Sequence, residues 1–270
     1  MLASQYVILE MGNISFSEGG ISTQDCSLEN HSPAVSIIVV TYNAEATLQR
    51  CLDSISCQTY SNYEIIVIDG ASSDSTINIL KDNSNLIHYW RSEKDSGIYE
   101  AMNKALNYIS GEWVLFIGAD DELLADFSKM APLLSGKNVI HYASVLYNGR
   151  KCIGYVNPYK FAKLGLHHQA VFYDSSIFKK YRYNTAFRIA ADYVLNITCY
   201  KDKSIKFHFH DYIVAKYNHT GISAFVKDEL LEQVKSDLIL SHFGVLIWLR
   251  YYIKIIKKNL KTWMDPSAGK

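Results

Sequence analysis

Proline is scarce in this chain, with 4 residues in 270, and glycine is modest at 14; neither recurs at a fixed period. That excludes collagen-like and low-complexity classes. Cysteine is sparse as well: Cys26, Cys51, Cys57, Cys152 and Cys199 are odd in number and widely spaced, with no Cys-x-x-Cys pair. Neither a disulfide framework nor a thiolate zinc site is indicated, and a reducing compartment is expected. An excess of one charge is missing too, since 27 Lys and Arg balance 27 Asp and Glu, which argues against a general nucleic-acid binder. No apolar run approaches the roughly 20 residues of a membrane-spanning helix. Residues 1–33, rich in Ser, Asn, Gly and Glu, lack a basic segment followed by an apolar one, so no secretory signal is read there; they form an N-terminal extension.

What is present is a globular composition, 49% hydrophobic and 20% charged, long enough for one sizeable core. The zero net charge hides an asymmetry. Residues 250–261 hold five cations and no acid, leaving a net charge of −5 on residues 1–249.

From Val35 the pattern becomes regular. Val35–Val40 is a continuous β-branched run suited to a strand buried on both faces, and Asn43 is placed to cap a helix whose Leu48, Cys51, Leu52 and Ile55 share one side. Strands are expected at 64–69, 87–91 and 113–117, and helices at 74–80 and 98–109. This β-α-β-α-β-α-β order implies a parallel sheet with helices on both faces, and ligands then bind beyond the carboxyl ends of the strands. The polar residues there are Thr41, Tyr42, Asn43, Asp69, Glu93, Asp95, Asp120 and Asp121. After Leu134 the alternation gives way to strands at 139–147, 151–156, 170–173 and 205–209 and a short helix at 192–200, an α+β continuation of the same sheet.

Carboxylates from several strand ends converge on one crevice, and like charges so close raise each other's pKa unless a cation neutralises them. Asp120 and Asp121, followed by Glu122, suit Mg²⁺ or Mn²⁺ bound through oxygen, with positions left for a diphosphate. Helix N-termini also attract Asp, so the pair alone does not decide the matter. His167 and His168 form a His pair but lack a third ligand at zinc spacing.

Four stretches in order are familiar: Val35-Ser-Ile-Ile-Val-Val-Thr-Tyr-Asn43, Ile66-Val-Ile-Asp-Gly-Ala-Ser-Ser-Asp74, Glu93-Lys-Asp-Ser-Gly-Ile-Tyr-Glu-Ala-Met-Asn-Lys-Ala105 and Gly111-Glu-Trp-Val-Leu-Phe-Ile-Gly-Ala-Asp-Asp121. Together they resemble the family 2 inverting glycosyltransferases, and the third stretch is similar to bacterial enzymes that build O-antigen and capsular repeats. The resemblance covers about Pro33 to Ile213. It implies an α/β GT-A fold, a Rossmann-like and mostly parallel central sheet flanked by helices. Residues 34–135 would form the nucleotide-sugar half, 136–225 the acceptor half, and 226–270 a C-terminal helical segment.

The resemblance also implies roles. Thr41, Tyr42, Asn43, Asp69, Asp95 and Asp120 fall where the donor nucleotide is met, and Asp121 where the metal, Mn²⁺ or Mg²⁺, is ligated. Asp192, in Phe187-Arg-Ile-Ala-Ala-Asp-Tyr-Val-Leu195, matches the general base that an inverting transfer requires. His168, Gln169 and Arg188 fall near the sugar or acceptor. Asn103 and Lys104 read as ties that hold their helix in place. One departure stands out: many relatives carry an acid where this chain has Gly118, which leaves room for weaker metal binding, metal-independent binding, or a nucleotide- or glycan-binding protein without turnover.

The expected reaction is transfer of a hexose, glucose or galactose from a UDP-sugar, to a lipid-diphosphate-linked sugar, with no nucleic acid involved. The tail fits that setting. Arg250, Lys254, Lys257, Lys258 and Lys261 recur at helical spacing, with Val245, Leu249, Tyr252, Ile256 and Leu260 largely opposite and Trp248 beside them. Residues 243–261 thus read as an amphipathic helix on an anionic membrane surface, giving a peripheral protein on the cytoplasmic face of a bacterial inner membrane; the competing reading is a terminal helix packed on the domain.

Overall fold

A computed structural model describes residues 7–11, 14–23, 34–218 and 226–264. The chain opens with a hairpin, β1 (Val7–Met11) and β2 (Ile14–Gly19), where the sequence pattern gave no element. The expected alternation follows: β3 (Val35–Thr41), α1 (Leu48–Ser56), β4 (Tyr63–Asp69), α2 (Thr76–Asp82), β5 (Tyr89–Glu93), α3 (Ile98–Ala105) and β6 (Trp113–Gly118). The second half comprises β7 (Glu122–Leu123), α4 (Asp126–Met130), β8 (Val139–Tyr147), β9 (Arg150–Cys152), α5 (Pro158–Leu164), β10 (Val171–Asp174), α6 (Ala191–Lys201), β11 (Lys206–Lys216), α7 (Glu229–Phe243) and α8 (Val245–Met264).

One sheet takes all the described strands, in the order β1-β2-β5-β4-β3-β6-β10-β8-β11-β7, with β9 paired to β8. Its centre, β5-β4-β3-β6, is parallel and doubly wound: the strand order runs outward from β3 to β5 and then returns to β6 on the other side, which opens a crevice between the ends of β3 and β6. Strand alternation splits the core into two layers. Ile38, Val40, Ile66 and Ile68 face α3, α6 and α7, whereas Ile37, Val39, Ile65 and Val67 face α1, α2 and α4. At the opposite end of the sheet the buried Glu64 is satisfied by Ser36 Oγ at 2.5 Å, Ser110 N at 2.6 Å and Gly111 N at 3.1 Å. Gly111 leaves no room there for a side chain, since an added Cβ would lie 2.6 Å from Ser36 N.

Several expectations need correction. The strand expected at 151–156 stops at Cys152, because Ile153 and Gly154 adopt φ of 73° and 63° and turn the chain out of the ladder. A helix then begins: Asn157 Oδ1 accepts from Lys160 N at 2.8 Å and Pro158 takes the first turn, an Asn-Pro start that the sequence carried in plain view. Asn43 does not cap α1. Thr47 is the residue before that helix, and Asn43 sits at φ 48° with Oδ1 accepting from Ser73 N at 2.9 Å. α3 ends at Ala105 rather than 109, and β11 runs on to Lys216.

Among the described residues no helix is long and apolar enough to cross a membrane. α8 packs on α7 and α5 through Ile247, Trp248, Tyr251 and Ile255, with Trp248 Nε1 donating to Ser236 Oγ at 2.9 Å and the Arg250 guanidinium 4.0 Å above the Tyr159 ring. Its outward side leaves Leu246 80% exposed, with Val245, Leu249, Tyr252, Ile253 and Ile256 exposed beside it. The side chains of Lys258, Leu260 and Lys261, expected to extend this pattern, lie outside the described residues.

Candidate active site

Two cavities open at the carboxyl ends of β3 and β6. The larger, about 710 Å³, is lined by Thr41, Tyr42, Asn43, Thr47, Gly70, Lys94, Asp95 and Asp120 among others. The second, about 320 Å³, is lined by Tyr99, Asp120, Asp121, His168, Gln169, Arg188, Asp192 and Lys235 among others. They share Ile98, Gly118 and Asp120 as a common wall. A ligand reaching through that wall would connect the two groups of residues.

The larger cavity is made by backbone that leaves the parallel strands. Thr41 Oγ1 is buried there without a hydrogen-bond partner, a donor and acceptor that a ligand can satisfy. Tyr42 is 65% exposed and offers a flat apolar face. Asp95 accepts from Gly97 N at 2.9 Å, and burial holds its carboxyl above the usual range, with Gly97 N–H and Lys104 opposing. Asp69 differs from its neighbours. It is fully buried, accepts from Ser72 N at 2.9 Å and Ser92 Oγ at 2.6 Å, and lines neither cavity, so in this conformation it shapes the 70–75 turn.

Asp120 and Asp121 converge at Gly118. An added Cβ there would meet Asp120 Oδ1 at 2.8 Å and Asp121 Oδ2 at 2.9 Å, so the two carboxylates occupy the space that a side chain at 118 would take. Asp121 accepts from Asn218 N at 3.0 Å and Gln169 Nε2 at 2.8 Å. Burial first, and the neighbouring Asp120 second, push its pKa up to about 6. Gln169 Oε1 is buried without a partner beside it. Among the described residues no three His, Cys, Asp or Glu side chains are grouped to hold a metal ion by themselves. Two crowded carboxylates at a strand end fit a hard divalent ion whose remaining ligands come from elsewhere.

Asp192 lies in the first turn of α6. Its Oδ1 accepts from Tyr99 Oη at 2.9 Å and Tyr193 N at 2.8 Å, while Oδ2 lies 3.4 Å from His168 Nδ1. Burial opposes the charge of both groups, yet their mutual attraction wins: Asp192 is held below the usual carboxylate range and His168 above the usual imidazole value. Asp228, the cap of α7, accepts from Leu231 N at 3.0 Å and also from Ile189 N at 2.8 Å and Ala190 N at 3.2 Å, fixing the segment that delivers Asp192.

Ten of the eleven expected site residues therefore line the paired cavities, Asp69 being the exception. Asn103 exchanges hydrogen bonds with the Tyr183 backbone at 2.9 and 3.0 Å, and Lys104 pairs with Glu93 and Glu100 at 3.1 Å, so both tie α3 in place. Sequence reasoning missed Tyr99, Lys94, Asn218, Asp228 and Lys235. Lys94 and Tyr99 stood inside a quoted motif; the others come from loops and helices without a local signal.

Comparison with known proteins identifies the family and the fold. Residues 36–206 match the family described as Glycosyl transferase family 2. A PGL/p-HBAD biosynthesis glycosyltransferase of Mycobacterium bovis is 31% identical over 85% of this chain and 94% of its own length. The UDP-Glc:alpha-D-GlcNAc-diphosphoundecaprenol beta-1,3-glucosyltransferase WfgD of Escherichia coli is 31% identical over 87% and 98%. The mannosyltransferase PcManGT from Pyrobaculum calidifontis, solved with GDP-Man and Mn²⁺, superposes with a TM-score of 0.56 at 18% identity over 83% of this chain and 65% of its own. The chain belongs to glycosyltransferase family 2, has the GT-A fold, and is a glycosyltransferase enzyme.

Proposed function

We propose that this enzyme transfers a hexose, glucose or galactose from a UDP-sugar, with inversion, to a lipid-diphosphate-linked sugar during synthesis of a bacterial surface polysaccharide of the O-antigen type. The observation that carries the reading is the pair of cavities with one shared wall, a nucleotide-sized one on the Thr41 side and one holding Asp192 on the other. WfgD, similar over nearly its whole length, acts on a diphosphoundecaprenol-linked sugar, which supports the acceptor class.

In this reading the donor nucleotide occupies the larger cavity, with its ring against Tyr42 and its polar edge at Thr41 and Asn43. Its sugar passes the shared wall at Gly118. The acceptor hydroxyl enters beside Asp192, whose Oδ1 is held by Tyr99 and the Tyr193 N–H and whose Oδ2, 3.4 Å from His168 Nδ1, takes the proton. The hydroxyl oxygen forms a bond to the anomeric carbon from the face opposite the departing diphosphate, whose bond to that carbon breaks with its electron pair. No covalent enzyme intermediate is needed. Asp121 and Asp120 would hold Mn²⁺ or Mg²⁺, which would supply charge stabilisation for the leaving group. His168 and Gln169 orient the acids, and Arg188 faces the developing negative charge.

The exposed apolar side of α8, bordered by Arg250, Lys254 and Lys257, would lie on the anionic surface of the inner membrane's cytoplasmic face, where such an acceptor is met. The test is a screen of UDP-, GDP- and dTDP-sugars against a sugar-diphosphate-lipid acceptor, with Mn²⁺ or EDTA, on wild-type, Asp121→Ala and Asp192→Asn proteins. One UDP-hexose should be consumed in a metal-dependent way, and the product linkage should be inverted. Retained anomeric configuration, or near-normal transfer by folded Asp192→Asn, would refute the mechanism.

A further inference from the structure

The wall of the Asp192 cavity holds a cation, Lys235, that the transfer chemistry does not use. Lys235, on α7, lines this cavity with its Nζ 4.9 Å from the ring centroid of Tyr193, the residue next to Asp192. The same Nζ donates to Lys163 O at 3.3 Å. Lys163, in α5, has its ammonium against that of Lys254 on α8, with Lys235 close by, so three helices gather three like charges. Among the described residues none of the three lies within 4.0 Å of a carboxylate.

Such crowding of like charges costs free energy even in water, and more near protein. Lys163 carries the signature of that crowding, whereas Lys235 carries that of burial. The Lys254 contact holds Lys163 below the usual lysine range, and burial holds Lys235 there, with Glu232 only partly offsetting it. A multivalent anion seated among them would relieve the repulsion.

The position says which anion. An acceptor sugar whose hydroxyl meets Asp192 fills the cavity, and its diphosphate must leave toward a bordering surface. Arg188 and Lys235 are the Lys or Arg residues on that border, and only Lys235 is backed by further cations. At 100° per residue, Lys254, Arg250 and Lys257 form a strip on α8 between its buried side and its exposed apolar stripe of Leu246, Leu249, Ile253 and Ile256. A diphosphate held at this strip would sit beside an apolar surface suited to the lipid attached to it. We infer that Lys235, Lys163 and Lys254 form the binding site for the acceptor's diphosphate, an inference that rests on the lipid-diphosphate reading above.

The probe is geranyl diphosphate in EDTA, its binding followed by calorimetry with and without UDP. Wild-type and Asp192→Asn proteins should bind it alike and independently of UDP, while geraniol should not bind. The exposed Lys254→Gln, which leaves the fold untouched, should weaken binding about tenfold, and Lys163→Gln combined with Lys235→Gln should weaken it further. Unchanged affinity in these variants overturns the site. In transfer assays the variants should raise KM for a diphosphate-linked acceptor but not for the same sugar on a neutral octyl aglycone. Equal losses with both acceptors overturn the inference, as does loss of binding to anionic vesicles with geranyl diphosphate affinity intact, which would make the cluster a headgroup contact. Lysine-dependent geranyl diphosphate binding without transfer to any diphosphate-linked sugar would support the anion site and refute the acceptor reading, so the two failures are distinguishable.

Discussion

Tyr99 shows how one hydroxyl sets the character of a base. By donating to Asp192 Oδ1 it helps fix the carboxylate plane, with Oδ2 beside His168 Nδ1. Tyr99→Phe should lower kcat roughly tenfold, the worth of one hydrogen bond to a charged group, with donor KM unchanged. Asp192→Asn should lower it by roughly 10²–10⁴-fold, the contribution of a general base. Asp121 governs the acid side. With its pKa raised to about 6, the carboxylate is ionised above that pH and protonated below it, and the proton competes with the metal for the same oxygens. Apparent Mn²⁺ affinity should therefore be level above about pH 7 and fall roughly tenfold per unit below pH 6, which metal titrations of activity at pH 5, 6 and 7.5 would check. A flat profile would mean that Asp121 does not ligate the ion. These roles were legible only in part: the Asp-Asp pair and Asp192 stand in recognisable motifs, whereas the bond from Tyr99 crosses 93 positions of sequence.

Single elements place the base as much as single residues do. Asp228 caps α7 with one oxygen and anchors Ile189 and Ala190 with the other, so the helix start and the loop into α6 share one carboxylate. Asp228→Ala should cost about 1 kcal/mol of stability, as cap losses do, and should also reduce kcat, because the segment before Asp192 loses its anchor. Chemical denaturation beside kinetics on the same preparation would show both; a stability loss alone would limit Asp228 to capping. At the far end of the sheet, Gly111→Ala forces a Cβ to within 2.6 Å of the Ser36 backbone and disturbs the Glu64 network, so a loss of about 1–3 kcal/mol is expected with donor affinity unchanged. The Asn157-Pro158 helix start shows what periodicity overlooks, since a seven-residue helix between strands is set by its cap and by the left-handed turn before it.

At the scale of the whole molecule, the acidic body and the basic α8 give the protein an electrical polarity that its zero net charge conceals. Binding to vesicles rich in anionic lipid should fall with salt, be weak on zwitterionic vesicles, and drop severalfold for Leu249→Asp with Ile253→Asp, two exposed positions whose change leaves the core alone. Salt-independent binding, or none, would show that α8 serves only as a packed terminal helix.

The sequence by itself determined the central sheet and the family, because both are written locally: a buried parallel strand needs an unbroken apolar run, and the residues at strand ends sit at fixed offsets from it. Only the tertiary structure decided the rest. The β1-β2 hairpin joins the sheet through β2, which pairs antiparallel with β5, and Asp69 turned inward because Ser72 and Ser92 fold over it. Gly118 became intelligible when two carboxylates were found in its space. The three lysines meet only because α5, α7 and α8 pack together. Contacts between residues far apart in the chain depend on how faces pack, and no local pattern encodes that.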